Sequence, residues 1–245
     1  EKCGETFSAL VPTAIQNTTA VVGMGEVQLT WQQDPAFSPE SYTLFKRPAS
    51  GMFSPHGNTT TATFTDINYT GTESFCYRIN YRDVCGNNSD PGLDVCPMVL
   101  TGTLNSDNSI NLNWTAYEGW LNGVNHYEVD KYNATGTLVQ TFNTGTATSL
   151  LDDVTDLTNQ IYRYVVRAIA NDAGLGTAIS NEIEIIKEPK LYYPTAFTPD
   201  GQGPAENEVF KVFGQYLASL ELRIFNRWGE LLFVTTDMDQ GWDGR

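Results

Sequence analysis

The stretch Tyr162-Arg163-Tyr164-Val165-Val166-Arg167-Ala168 decides the fold class. Tyr162, Tyr164, Val166 and Ala168 fall at every second position and two arginines lie between them, so one face is dry and the other wet, the period of a β-strand. Phe75-Cys76-Tyr77-Arg78-Ile79-Asn80-Tyr81 repeats the pattern 87 positions earlier. Further out, Val27-Gln28-Leu29-Thr30-Trp31 and Ile110-Asn111-Leu112-Asn113-Trp114 alternate in the same way, 83 positions apart. A Tyr-bearing stretch follows each, Tyr42-Thr43-Leu44-Phe45 in the first and Tyr127-Glu128-Val129 in the second. The same order at nearly the same spacing makes an internal repeat of about 85 residues. Short alternating strands separated by Gly, Asn, Asp and Pro turns at that length form β-sandwiches. The expected fold is all-β, with one sandwich over residues 1–98 and a second over residues 99–187.

The chain has 245 residues and a net charge of −15, from 14 Lys and Arg against 29 Asp and Glu. That balance argues against binding a nucleic-acid backbone or an anionic membrane surface. Charged residues make up only 18%, below the roughly 25% of ordinary soluble domains. Thr, Asn, Ser and Gly replace them, as suits solvated strands and turns. Apolar residues at 40% are enough to build cores. No stretch approaches the ~18 consecutive apolar residues of a membrane span. The chain does not open on the apolar run of a signal peptide, so an exported protein is expected here as a mature or internal fragment.

Four cysteines and no CxxC pair favour two disulfides over zinc, and with them an oxidising, exported setting. In such a sandwich the chain start and the loop between the last two strands share one pole, which pairs Cys3 with Cys85. The start of the 75–81 strand and the end of the final strand share the other, which pairs Cys76 with Cys96. Cys76 alternates with Phe75 and Tyr77 and is expected to point outward. The early-strand Trp of each repeat and the Tyr162-x-Tyr164-x-Val166-x-Ala168 strand resemble the fibronectin type III and immunoglobulin-like class. These aromatics are expected to fill cores.

The linker Lys187-Glu188-Pro189-Lys190 leads to a third segment. Tyr193-Pro194-Thr195-Ala196-Phe197-Thr198-Pro199-Asp200-Gly201-Gln202-Gly203 resembles the opening of the gliding motility-associated C-terminal domain. Leu222-Arg223-Ile224-Phe225-Asn226-Arg227-Trp228-Gly229-Glu230 resembles that family's hallmark strand and turn, and Gly241-Trp242-Asp243-Gly244 the segment after it. The likeness covers residues 191–245, read as a partial β-sandwich whose final strands lie outside this sequence. It singles out Pro194, Phe197, Pro199, Gly201, Gly203, Phe210, Asn226, Arg227, Trp228, Gly229 and Trp242. It implies a type IX secretion signal recognised by the outer-membrane translocon and its shuttle components, and hence a cargo at the cell surface or outside the cell. Trp228 is expected to order the hairpin around it.

No nucleophile elbow, HExxH or phosphate-binding glycine pattern occurs, so no catalytic residue and no cofactor is assigned. His56 and His126 are expected at the surface, and Asp152-Asp153 and Asp237/Asp239 in solvated turns. Asp200, Gln202, Asn207 and Glu208 offer oxygen donors around flexible glycines, a weak calcium candidate because Gln202 is neutral. Trp120, between Gly119 and Leu121-Asn122-Gly123, is a candidate platform for a sugar ring, with surface polysaccharide as its partner. The expected function is the non-enzymatic stalk and secretion signal of an adhesin-like surface protein linked to gliding motility. The alternative is a set of accessory domains of an exported hydrolase or carbohydrate-binding protein.

Overall fold

A computed structural model describes residues 11–69, 71, 73–154 and 159–245. The chain divides into two compact units, one of Glu1–Thr155 with Ile161–Ile185, the other of Asp156–Gln160 with Ile186–Arg245.

The first unit holds both repeats. The first contributes β1 (Asn17–Val22), β2 (Val27–Gln32), β3 (Pro39–Pro48), β4 (Ser54–Thr59), β5 (Thr63–Asp66) and β6 (Phe75–Asp83). The second contributes β7 (Leu100–Leu104), β8 (Ser109–Trp114), β9 (Val124–Asn133), β10 (Leu138–Gly145), β11 (Ser149–Asp153), β12 (Ile161–Ala170), β13 (Thr177–Ile179) and β14 (Ile183–Ile186). Alternation is realised strictly where it was strongest: β2 buries Val27, Leu29 and Trp31, and β12 buries Tyr162, Tyr164, Val166 and Ala168. Each early-strand Trp meets the Tyr of the next strand edge to face, Trp31–Tyr42 at 5.0 Å and Trp114–Tyr127 at 5.9 Å.

The repeats do not keep separate sheets. β4-β3-β6 and β11-β8-β7 are each confined to one repeat, but the remaining sheet runs β10-β9-β12-β13-β1-β2-β5 through both, with β14 also on β12. Its seam is a parallel pairing of β1 with β13, Val21 opposite Ile179. That seam occupies the free edge that β13 would otherwise present to solvent.

The segment around Tyr117 closes the seam. The Tyr117 hydroxyl accepts the N–H of Ala20 (3.0 Å) and donates to the carbonyl of Thr18 (2.6 Å). Thr18 N–H reaches the carbonyl of Gly119 at 2.8 Å. Gly119 has φ +152°, and a Cβ there would stand 2.7 Å from the Thr18 oxygen, so only glycine permits the approach. Trp120 is buried at 4% exposure, lies against Tyr117 (4.4 Å between rings) and donates its indole N–H to Thr19. The sugar-platform reading of Trp120 is therefore corrected, since its ring is spent on the seam.

A disulfide joins Cys76 and Cys96, with Cα atoms 4.2 Å apart. Cys76 is buried rather than outward-pointing. It does lie on the face opposite Tyr77, but the Cys96 backbone pairs with Glu118 and that side is covered. The other expected bridge, Cys3–Cys85, involves Cys3, which lies outside the described residues.

The second unit contains β15 (Lys190–Tyr192) paired with β16 (Phe213–Gln215), and β17 (Leu222–Phe225) paired with β18 (Leu231–Thr235). Phe210 is joined to Trp242 by a single isolated bridge.

Candidate functional site

In the second unit the scattered sequence motifs come together. Phe197 packs on Phe210 (5.9 Å between rings) and on Trp242 (5.6 Å). Phe210 and Trp242 exchange both backbone hydrogen bonds, at 2.8 and 3.0 Å. Gly244, at φ +87°, lies under Pro199 and Phe197, where a Cβ would sit 3.0 Å from the proline ring. The first and last motifs, with Phe210 from the stretch between them, thus share one aromatic cluster. Beside it opens a cleft of about 390 Å³, lined by Thr195, Ala196, Phe197, Phe210, Ile224 and Trp242.

The acidic loop is closed by its own hydrogen bonds. The two carboxylate oxygens of Glu208 accept the N–H groups of Gly201 (2.8 Å) and Gly203 (3.1 Å). Asp200 accepts the N–H of Gln202 at 2.9 Å, and Asn207 takes the N–H of Thr198 with its backbone carbonyl, not its side chain. Among the described residues no three His, Cys, Asp or Glu side chains gather as a metal-binding group.

Between β17 and β18 the turn is organised by Asn226. Its side-chain oxygen accepts the N–H of Trp228 (2.9 Å) and of Glu230 (3.0 Å), while its carbonyl accepts Gly229 N–H at 3.0 Å. Gly229 follows at φ +85°. Trp228 is 76% exposed, with the Arg227 guanidinium 4.0 Å from its ring centre. The expectation that Trp228 orders the hairpin is corrected: an Asx turn does so, and the indole is left on display. Leu191, Tyr192, Tyr193, Phe213, Phe225, Leu231, Leu232 and Val234 are exposed as well. Among the described residues of this unit only Val212 is a buried apolar side chain, at 5% exposure.

Residues 191–245 match the CHU_C type IX secretion signal domain. The aromatic cluster, the Glu208-capped loop and the Asn226 turn therefore all lie in the secretion signal domain, which implies export by the type IX system. No curated protein matches the chain. Solved structures similar to it include fibronectin type III domains. They include the FN1–FN3 domains of chicken CNTN1 (14% identity, 72% of this chain and 68% of that chain, TM-score 0.31). They also include a two-domain fibronectin type III segment of chicken tenascin (14% identity, 70% and 97% coverage, TM-score 0.28).

The reading of Asp152 as a solvated turn residue needs correcting too. His56 is exposed on β4, with Nε2 3.0 Å from Asp66 Oδ2, and His126 stands beside Glu128 at 3.5 Å. Asp152 is not in a solvated turn but buried on β11, 2.7 Å from Lys131 Nζ and accepting the Tyr164 hydroxyl at 2.7 Å. Lys46, Asp66 and Tyr77 make the same two contacts, again at 2.7 Å each, in the first repeat. Burial and the hydrogen bond to Asp152 push the Tyr164 phenol far up. Both triads were legible as Lys, Asp and Tyr recurring at offsets of 85, 86 and 87. In each triad the lysine and the tyrosine converge on one carboxylate oxygen, Oδ2, and so tie neighbouring strands together.

Proposed function

We propose that this chain is the stalk and export signal of a non-enzymatic, adhesin-like surface protein of the gliding machinery. The first unit serves as the stalk, and the unit from Ile186 onward serves as the address read by the outer-membrane translocon and its shuttle components. The secretion-domain match at residues 191–245 carries this reading. Its support is the exposed Trp228 and the apolar strands beside it, which offer aromatic side chains and strand edges for recognition by docking or strand addition. The cargo ends at the cell surface or in the medium, where surface polysaccharide is a fitting ligand class for an acidic, Thr- and Asn-rich stalk.

Truncation after Glu188 tests it in the native host. The truncated cargo is expected to stay in the periplasm with the first unit folded, as read by protease shaving of whole cells. Surface display of the truncated form in normal amounts would overturn the reading.

A further inference from the structure

Tandem sandwiches joined only by a linker move as separate bodies, the default unless a large apolar interface holds them. Here three observations point the other way. First, β1 belongs to both repeats: it pairs with β2 along Asn17–Val22 and with β13 at Val21–Ile179. Second, the Tyr117 hydroxyl is buried between the repeats and satisfies two backbone groups of β1 at once. Burial pushes this phenol far up, so it stays protonated and keeps donating. Third, the connection between the repeats is buried throughout: Val95, Cys96, Met98, Val99 and Leu100 range from 0% to 8% exposed. The Asn181 side chain clamps its far end by bonding both the N–H (2.7 Å) and the carbonyl (3.0 Å) of Leu100. Nothing in this connection is left to act as a hinge.

We infer that the two repeats fold and unfold as one cooperative, hinge-free body, with β1 as the shared strap and Tyr117 as its lock. Opening either repeat alone would strip β1 from one side. It would leave buried backbone groups of Thr18 and Ala20 unpaired and expose the apolar connection, so partial opening is disfavoured against global opening. For an exported stalk this fixes the angle between neighbouring sandwiches, where a linker would let it vary.

Hydrogen exchange followed by mass spectrometry on the full chain tests the inference. Leu44 is fully buried in β3 of the first repeat, away from the seam. Leu44→Ala is expected to speed exchange of the slowest amides of β3 and of β9, in the other repeat, by the same factor, about a hundredfold. If that variant does not fold, Ile79→Val on β6 gives the same comparison with a smaller factor. Tyr117→Phe is expected to accelerate both repeats together. Accelerated exchange confined to β3 in Leu44→Ala or Ile79→Val, or to one repeat in Tyr117→Phe, would overturn it.

Discussion

The ammonium of Lys131 lies 2.7 Å from Oδ2 of Asp152, and both side chains are buried. Lys46 and Asp66 repeat the pair in the first sandwich at the same distance. In each repeat the lysine stands opposite the triad tyrosine across two strands, Lys46 with Tyr77 and Lys131 with Tyr164. Above each ammonium sits an aromatic ring at 4.2 Å, Phe75 in one case and Tyr162 in the other. Removing one partner strands a buried charge. Asp152→Ala should therefore destabilise the first unit by about 3–5 kcal/mol, whereas the paired swap Lys131→Met with Asp152→Leu should cost far less. Urea denaturation of the three forms decides it, and equal losses would contradict the argument.

Acid should weaken the first unit through Asp66. Burial pushes that carboxyl up, but hydrogen bonds from Lys46 and Tyr77 outweigh it and hold the group at about 2. In the unfolded chain it titrates near the ordinary ~3.9. The folded value is the lower one, so the unfolded state binds the proton first as pH falls. The contribution, about 2 kcal/mol, is complete above about pH 5 and is lost between about pH 4 and 2. Thermal melts across that range should show the loss, and a flat midpoint from pH 5 to 2 would contradict it.

In the secretion domain, structure and recognition should separate at adjacent residues. Asn226→Ala removes the acceptor for two turn N–H groups and should cost the hairpin about 1 kcal/mol. Trp228→Ala should leave stability within about 0.5 kcal/mol, since the indole is 76% exposed, yet lower export. Amide protection of Glu230 reads the first effect and surface shaving the second. Normal export of Trp228→Ala would show that the exposed indole is not read.

Calcium should bind the 200–208 loop weakly or not at all. Both oxygens of Glu208 are already engaged by backbone N–H groups, and Gln202 adds no charge. Calorimetric titration of the full chain with calcium should give no site of micromolar affinity or tighter, and such a site would refute this.

Peptide mapping without reduction should recover Cys76 joined to Cys96, and a separate peptide joining Cys3 to Cys85. Breaking the 76–96 bridge, with its sequence separation of 20, should cost about 3 kcal/mol by loop-closure entropy. A Cys3–Cys76 peptide would contradict the pairing.

The sequence alone determined the strands, because side-chain alternation is written residue by residue: Tyr162, Tyr164, Val166 and Ala168 must share a face once the backbone is extended. It also held the repeated Lys, Asp and Tyr, and the motifs that meet around Phe197 in the folded chain. Only the tertiary structure decided that β1 joins β13, that Trp120 is buried in that seam, and that Asp152 is an inner ion-pair partner. Strand pairing is made by backbone N–H and C=O groups that every residue carries, so alternation says which face is buried but not which edge is joined. Whether a loop Trp or a strand Asp is covered depends on what arrives from far along the chain. For Trp120 that was β1, about a hundred residues earlier.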